Sequence, residues 1–489
     1  MLLVWFYLAC AGLFLSLSLS GPILVALFAG ETAEALRFGF YLVIGSFLSG
    51  APLLAIRGRK RRMPQIGRLS LMFLVWTILP ITAAIPIYDM TQLTFVDSLF
   101  EAFSAFTTTG STTLNSVELW PQSMIFWRVQ LQWMGGYFAL LTIILVIAPL
   151  GAGGLRSLKS SLTVGADLRA GQERLLVFAI NLGLLYATLT GICMLGLFFS
   201  GTRAFYAVSL AMTATSTGGF LPFDQSLDRV VGMHGQAIIA LFLVIGATSI
   251  FWHRMLLRGQ WQDVLKHRES YSVLVLVALI GGVFTVTSII VTGTDGSSPV
   301  LSIVQGFLNA ASLVATSGIQ SQPGYFTLLP LVVILFIILV GGSAFSTSGG
   351  WKHYRLGGML VQSWNELDRL IYPKVVSPSH FGSQNFDLGL MKAIWSFFVV
   401  SILTIVIGSV LIATTGVPFE ASLTATIASF TTAGPVYNAG WGTVSSVPWP
   451  SYGEFTDSAK MTLIVIMVFG RLEIIGILGL FSMRYWRSR

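Results

Sequence analysis

The chain has 489 residues, of which 54% are apolar and 10% are charged, and its formal net charge is +8. A soluble domain usually carries about a quarter of its residues as charged side chains, so this composition excludes an ordinary water-soluble protein. The positive charge does not indicate a nucleic-acid partner, because the basic residues stand in short loops between apolar runs. Cys10 and Cys193 both lie inside such runs, which excludes a disulfide framework and a thiolate metal site.

Apolar runs of roughly twenty residues follow one another along the chain, and each is long enough to cross a bilayer as a helix. The first run is longer than the apolar part of a signal peptide and no basic residue precedes it, so we expect it to remain as a spanning helix. The sequence therefore predicts an all-α integral membrane protein. In chain order, the predicted spans are Leu2–Leu27, Phe38–Ile56, Leu69–Ile87, Met124–Leu150, Leu175–Phe199, Ala237–Phe251, Tyr271–Val291, Thr327–Val340, Leu390–Thr414 and Ala459–Trp486.

Lysine and arginine residues gather in five segments, which all fall on one side of the membrane if the predicted spans alternate. The loops on the other side are nearly free of both residues. Basic loops stay on the cytoplasmic side of a membrane, so we expect both chain termini to be cytoplasmic. The five basic segments are residues 57–68, 156–174, 254–268, 352–374 and 484–489.

After an N-terminal helical hairpin, the same order of elements occurs four times: a long helix, a short apolar segment, a glycine-containing loop and a second long helix. The short segments cannot cross a bilayer, which is typical of re-entrant half-helices. We predict these half-helices at Phe95–Phe106, Ala204–Thr213, Val300–Leu313 and Pro418–Phe430. The predicted units are residues 1–62 for the hairpin with its basic loop, and 63–155, 156–262, 263–374 and 375–489 for the four repeats.

Each predicted half-helix is followed by a small residue and then by glycine, four times in register. Non-helical backbone at membrane depth persists only where it is buried in protein or lines water, so we expect these loops to line a pore. Backbone carbonyls that point inward can replace the water shell of a cation, and glycine adopts the dihedral angles that this requires. The alternative, in which the glycines only end helices, explains one such loop but not four. The expected ion-binding filter comprises Thr108, Thr109, Gly110, Thr217, Gly218, Gly219, Thr316, Ser317, Gly318, Thr432, Ala433 and Gly434.

Glycine and serine residues interrupt the predicted second helix of the third repeat. Each interior glycine costs a helix about 1 kcal/mol relative to alanine, so we expect a break that can gate the pore next to the filter. The alternative is a plain kink that lets helices pack closely. The predicted gate comprises Gly341, Gly342, Ser343, Ser346, Gly349 and Gly350, together with Arg471.

Arg471 stands about a dozen residues into the last apolar run. A charge at the middle of a membrane costs roughly 2.5–3.5 kcal/mol on insertion scales, so this side chain should face the protein interior or the pore. Glu473 is two residues away and points to a different side of the helix. We therefore expect Arg471 to meet the Gly341–Gly350 run and to form a positive barrier to cations, the alternative being a structural ion pair.

Four segments carry a resemblance to a known family. Gln132–Gly136 and Pro149–Gly154 resemble the second helix of the first repeat in the membrane subunit of Trk-type potassium uptake systems, within the superfamily of K⁺ transporters. Gly341–Lys352 is similar to the glycine-rich intramembrane loop of that family, and Gly470–Ile474 is similar to its last helix. The resemblance implies four M1-P-M2 units, each a helix, a half-helix and a helix, around one pseudo-fourfold pore.

The resemblance further implies K⁺ uptake across the bacterial inner membrane, with K⁺ as the transported ion and no covalent cofactor. It implies a homodimer surrounded by membrane lipid. It also implies a cytoplasmic TrkA-like regulatory subunit, and a nucleotide would act only through that subunit. The third filter loop departs from the family, since Ser317 and Ile319 stand where the pattern has Thr and Phe. By this resemblance, K⁺ would bind at Thr109, Gly110, Thr217, Gly218, Ser317, Gly318, Ala433 and Gly434.

Other functions stay open at this point: a transporter permeable to both sodium and potassium, a secondary carrier of another small solute, and a multispan membrane enzyme. A carrier with inverted repeats would place its halves in opposite orientations, whereas the four predicted units share one. An enzyme would need ionisable clusters or a nucleophile inside its spans, and the predicted spans hold little ionisable chemistry apart from Arg471 and Glu473. Neither Asp nor Glu adjoins a filter glycine, which argues against a carboxylate filter for divalent cations.

Overall fold

The computed structural model describes residues 2–56, 65–147, 172–292, 298–372, 380–381, 384–385, 388–444 and 447–472. Within these ranges, six helices are long and apolar enough to cross a membrane. A seventh span results if a pair of helices bent by 104° is counted as one. The prediction of a helical membrane protein is therefore confirmed.

The N-terminal hairpin packs its first and third helices against each other, as predicted. Its helices are α1 (Leu2–Ser18), α2 (Ser20–Ala29) and α3 (Thr32–Ile56). The first apolar run was expected to form one continuous helix, but the regular helix is interrupted at Leu19. Gly30, with a φ angle of 77°, ends α2 in the left-handed conformation that glycine adopts without a steric penalty.

The first repeat consists of α4 (Gln65–Met90), the half-helix α5 (Phe95–Phe106) and α6 (Gln122–Thr142), which a π-helical turn at Ile143–Ile147 continues. The second repeat consists of α7 (Gln172–Phe199), the half-helix α8 (Ala204–Thr215), α9 (Leu227–Val230), α10 (Met233–Ala247), α11 (Ile250–Leu257) and α12 (Trp261–Lys266).

The third repeat consists of α13 (Arg268–Thr292), the half-helix α14 (Pro299–Val314), a 3₁₀ turn at Tyr325–Leu328, α15 (Leu331–Val340) and α16 (His353–Ile371). Two short antiparallel strands follow, β1 (His380–Phe381) and β2 (Gln384–Asn385). The fourth repeat consists of α17 (Leu388–Ala413), the half-helix α18 (Phe419–Phe430), 3₁₀ turns at Gly434–Val436 and Tyr452–Glu454, α19 (Trp441–Val444) and α20 (Asp457–Leu472).

The four half-helices lie close to their predicted positions and are largely buried at the centre of the molecule. The first has the predicted bounds, because Thr94 caps its start and accepts a hydrogen bond from the Asp97 N–H at 3.2 Å. Ser298 caps the third in the same way, with the Leu301 N–H at 3.2 Å. The second continues to Thr215, two residues beyond its predicted end.

The predicted span Ala237–Phe251 is not one straight helix, because α10 ends at Ala247 and α11 leaves at an angle of 104°. The Thr248 hydroxyl donates to the Val244 carbonyl at 2.9 Å and so occupies an acceptor at the end of α10. The Ile250 N–H donates to the carbonyl of Phe345, a residue of the third repeat, at 2.9 Å. The bend therefore depends on a contact between repeats that periodicity does not reveal.

The predicted span Thr327–Val340 begins later than expected, since α15 starts at Leu331 after its N-cap, Pro330. Several predictions lie outside the described residues: the basic segments at 57–64, 156–171, 373–374 and 484–489, the Pro149–Gly154 motif, Glu473, and the ends of the spans that reach Leu150 and Trp486. The repeat boundaries at 62, 155 and 374 also fall there, and the boundary at 262 falls within α12.

Candidate cation filter and intramembrane loop

All four half-helices end on a threonine in the left-handed conformation. The φ angles of Thr108, Thr217, Thr316 and Thr432 are 60°, 51°, 57° and 59°. In the first loop, the Thr109 N–H donates to the Ser104 carbonyl at 2.8 Å and the Thr108 N–H to the Ala105 carbonyl at 2.9 Å, and equivalent bonds close the other three helices. This is the Schellman pattern of a helix end, with threonine where glycine is usual.

A β-branched residue with a positive φ angle is rare and strained, and such residues cluster at functional sites. The glycine of each loop lies two residues beyond this threonine, so glycine does not end the half-helices. Gly110 and Gly318 each have a φ angle of 76°. Gly219 and Gly434 do not have positive φ angles, so the prediction that every filter glycine adopts unusual dihedrals holds for two of the four. The threonine register aligns Gly219, rather than Gly218, with the other three glycines.

The four loops meet one another at the centre of the molecule. The Gly434 N–H donates to the Thr109 carbonyl at 2.7 Å, and the Ser317 hydroxyl donates to the Gly218 carbonyl. A β-carbon added at Gly110 would lie 2.6 Å from the Cα atom of Gly219. All twelve predicted filter residues are buried, so the structure brings the complete predicted set together.

The Gly341–Gly350 segment is non-helical and packs against the threonine ends of the filter loops. The Thr347 hydroxyl lies 3.3 Å from the Thr215 carbonyl, and the Gly349 N–H donates to the Thr316 hydroxyl at 2.7 Å. A β-carbon added at Gly349 would overlap the Thr431 carbonyl oxygen. The segment therefore touches the second, third and fourth filter loops, and it contains all six of its predicted gate residues.

Arg471 connects this segment to the first filter loop. Its guanidinium donates to the Thr107 carbonyl at 2.8 Å, to the Ser348 carbonyl at 3.3 Å and to the Thr108 hydroxyl. The side chain is buried. Because its described partners are neutral oxygens, the positive charge stands uncompensated beside the threonine end of the filter, within the part of the chain that the structure describes.

Glu269 and Lys352 also hold the segment, and neither was predicted as part of the gate. The Glu269 carboxylate accepts a hydrogen bond from the Ala344 N–H at 2.6 Å. The Lys352 ammonium donates to the Ser348 carbonyl, and Lys352 itself has a φ angle of 75°. Glu269 and Ala344 are 75 residues apart in sequence, so spacing alone gives no signal for their contact, whereas Lys352 and Ser348 are four residues apart.

Two ion pairs in the structure were not predicted from the sequence. The prediction of little ionisable chemistry in the spans was therefore wrong. Arg128 pairs with Glu101 at 2.7 Å, with 1% and 0% of the two side chains exposed. Lys460 pairs with Asp97 at 2.6 Å. The available signal was that both members of the first pair stand inside predicted membrane segments, where a charge needs a partner.

On the opposite side of the filter from the segment, hydrogen bonds connect successive loops. Burial opposes ionisation of Asp224, but bonds from the Ser116 hydroxyl and the Val117 and Glu118 N–H groups outweigh it and lower the pKa of this carboxyl group. Asp228 accepts a bond from the Gln322 amide at 2.9 Å. The first three repeats are thus joined around the mouth of the filter.

Comparison with known proteins decides the family. The family model described as "Cation transport protein", TrkH, matches residues 70–487. The chain belongs to the TrkH family. It is 30% identical over 422 residues to the Trk system potassium uptake protein TrkH of Escherichia coli (strain K12), covering 85% of each chain. Its identity to the TrkH of Halomonas elongata is 27% over 482 residues, covering 97% of this chain and 96% of that one.

A solved structure agrees with this TrkH-family assignment. The crystal structure of the potassium transporter TrkH from Vibrio parahaemolyticus superposes with a TM-score of 0.84 and 26% sequence identity, covering 99% of both chains. The pore-loop repeat fold predicted from the sequence is therefore confirmed. TrkH-family relatives are transporters, so the chain is a membrane transport protein and not an enzyme.

Proposed function

We propose that this TrkH-family protein takes up K⁺ across the bacterial inner membrane through the four convergent filter loops. The observation that carries the proposal is the fourfold left-handed threonine with a glycine two residues later, repeated where the loops meet. Two relatives named as potassium uptake proteins support the choice of ion. The bound ions would be held by backbone carbonyls, as in other K⁺-selective filters. In the register of the left-handed threonines, the carbonyls belong to Thr109, Gly110, Gly218, Gly219, Ser317, Gly318, Ala433 and Gly434, so Gly219 takes the place expected for Thr217.

The electrostatics of the loops favour a monovalent cation. Each half-helix ends at the filter, so the negative end of its dipole faces the ion path. The residues beside the filter glycines carry no carboxylate, so the partial charges of carbonyls and helix ends would stabilise the ion. An electrostatic field spread over many partial charges binds a monovalent cation weakly enough for it to leave again, which conduction requires.

The Gly341–Gly350 segment and Arg471 would close the ion path at the threonine end. The segment touches three filter loops and Arg471 touches the first, so together they cover this end of the filter. A buried positive charge there repels cations. Transport would then require the segment and the guanidinium to move aside.

Uptake of radioactive Rb⁺ by proteoliposomes, with K⁺, Na⁺ and Li⁺ as competitors, tests the proposal. We expect K⁺ to suppress Rb⁺ uptake at much lower concentrations than Na⁺ or Li⁺. Equal suppression by Na⁺ would favour a transporter permeable to both ions. Lack of Rb⁺ uptake, with flux of another solute, would favour a secondary carrier and overturn the proposal.

The proposed assembly is a homodimer with both termini in the cytoplasm, regulated by a TrkA-like nucleotide-binding subunit. The basic residues in and directly after α11 and in α12, among them Arg254, Arg258 and Lys266, supply a positive surface on the proposed cytoplasmic side. Light scattering of the purified protein in detergent should give twice the chain mass of 53.0 kDa. Nucleotide should change Rb⁺ flux only after the regulatory subunit is added.

A further inference from the structure

A buried ion pair lies directly behind the first filter loop. Both the Nε and Nη2 atoms of Arg128 reach one carboxylate oxygen of Glu101, at 2.9 and 2.7 Å. Removing two charges from water costs free energy that their attraction does not reliably repay. A pair that is buried at such a cost indicates a role other than general stability.

The pair holds the segment that leaves the first filter loop. The second oxygen of Glu101 accepts hydrogen bonds from the Thr113 N–H at 2.6 Å and from the Thr112 hydroxyl at 2.7 Å. Arg128 also donates to the Thr112 hydroxyl, at 3.0 Å. Thr112 and Thr113 are the second and third residues after Gly110, so the carboxylate fixes the backbone just beyond the filter glycine.

The same helix also reaches the second filter loop. The Arg128 guanidinium lies 4.1 Å from the ring centroid of Phe220, which directly follows Gly219. One turn further along α6, the Gln132 amide oxygen accepts a hydrogen bond from the Phe220 N–H at 3.3 Å. Arg128 and Gln132 together therefore connect two adjacent filter loops.

The third repeat has a neutral equivalent of the contact between Glu101 and the segment after the filter glycine. Asn309 occupies the position of Glu101, five residues before the end of its half-helix, and bonds the Ser321 N–H at 3.2 Å and the Ser321 hydroxyl at 2.7 Å. Ser321 is three residues beyond Gly318, as Thr113 is beyond Gly110. The second and fourth repeats have Leu210 and Ala425 at this position. The side chain at this position is therefore polar in the first and third repeats, and it is charged in the first.

We propose that Glu101 and Arg128 are positioning residues for the filter, and that the preference for K⁺ over Na⁺ depends on their hydrogen bonds to Thr112 and Thr113 and on the contact of Arg128 with the Phe220 ring. The inference rests on the proposed function, since it assigns a role in ion selection. The two side chains act through the filter backbone. They set the spacing of carbonyl oxygens without binding the ion themselves.

The test compares Arg128→Lys and Glu101→Gln with the unmodified protein in the Rb⁺ uptake assay. Arg128→Lys keeps the charge but loses the planar fork and the ring contact. We expect Na⁺ to compete about tenfold more strongly in both variants, a change equivalent to 1.4 kcal/mol. Asp97→Asn is the matched control, because it removes the charge of Asp97 from its pair with Lys460 on the same half-helix without touching the filter loop.

Unchanged Na⁺ competition in the folded variants would overturn the inference, and so would an equal change in Asp97→Asn. Thr112→Val covers the case in which the charged-pair variants do not assemble, since it removes one bridging hydroxyl and leaves the pair intact. It should shift Na⁺ competition in the same direction, and an unchanged ratio would overturn the inference. Absence of Rb⁺ uptake by the unmodified protein would instead reject the proposed function itself.

Discussion

Four threonines, rather than the four glycines, are the residues with a shared conformation at the end of the half-helices. The glycines locate the loops in the sequence, but they do not identify the left-handed residue, because threonine disfavours that conformation on its own. Tertiary context decides it: the hydroxyls of Thr108 and Thr316 accept hydrogen bonds from Arg471 and Gly349. Local sequence preferences therefore locate the filter loops, and contacts with residues distant in sequence determine their backbone conformation.

The first prediction concerns a filter glycine. A side chain at Gly110 would be strained at a φ angle of 76°, and its β-carbon would lie 2.8 Å from the backbone nitrogen of Gly219. We expect Gly110→Ser to weaken discrimination against Na⁺ by about tenfold, measured as Na⁺ competition with Rb⁺ uptake. Gly201→Ser is the control, because Gly201 has a φ angle of 92° but open space around it. Similar loss of selectivity in both variants would contradict a filter role for Gly110.

The second prediction concerns the buried arginine. Replacing Arg471 by Ala removes the positive charge and its bonds to Thr107 and Ser348. We expect Rb⁺ flux into proteoliposomes to increase several-fold, because a barrier of one charge is lost. Arg471→Lys retains the charge and should keep the flux low. A folded, fully assembled Arg471→Ala protein with unaltered or reduced flux would assign this residue a structural role instead.

At the scale of elements, the half-helices were predicted to within two residues at either end, because each is a short apolar segment followed by a glycine-containing loop. The second helices were predicted less well. α10 ends where Ile250 bonds Phe345, so this bend depends on packing between repeats. α15 starts four residues later than predicted but ends at Val340 as predicted, where the run of glycine and serine begins.

The third prediction concerns the Gly341–Gly350 segment. Deleting residues 344–347 removes the Thr347 contacts to the Thr215 and Gly246 carbonyls, at 3.3 and 3.1 Å. We expect a higher basal Rb⁺ flux and a weaker response to a regulatory subunit, because the segment no longer covers the filter. Thr347→Val should produce a smaller increase through loss of its hydroxyl alone.

A matched control for this prediction is Thr287→Val in α13. Thr287 donates to the Val283 carbonyl of its own helix at 2.9 Å and lies away from the filter. Its flux should equal that of the unmodified protein. If the deletion and Thr347→Val also leave the flux unchanged, the segment is a structural connection and does not gate.

At the scale of the molecule, four units of similar plan differ in their second helices. In the structure, α6 is continuous to Thr142, α10 turns sharply into α11, and α15 is followed by the intramembrane segment. The repeat in the sequence predicted a common plan, and the glycine and serine run predicted the break after α15. The bend between α10 and α11 could not be predicted, because it arises where one repeat packs on another.

The fourth prediction concerns orientation in the membrane. Leu119 lies in the loop after the first filter and is 84% exposed, whereas Trp261 lies at the start of α12 and is 64% exposed. In a background with Cys10→Ser and Cys193→Ala, Leu119→Cys should react with a membrane-impermeant maleimide from the periplasmic side. Trp261→Cys should react only after the membrane is opened. The reverse pattern would contradict cytoplasmic termini.

The left-handed threonines have a further consequence for how such a protein would work. The hydroxyls of Thr108, Thr217 and Thr316 bond Arg471, Thr347 and Gly349. Neither these filter loops nor their partners can therefore rearrange without breaking the same hydrogen bonds. Coupling of this kind is reciprocal. An ion that stabilises the filter geometry would also favour the closed position of the Gly341–Gly350 segment, and opening the segment would weaken ion binding by the same free energy. Ion binding in the filter and opening of the segment would then oppose each other, so that a bound ion leaves more readily once the segment has opened.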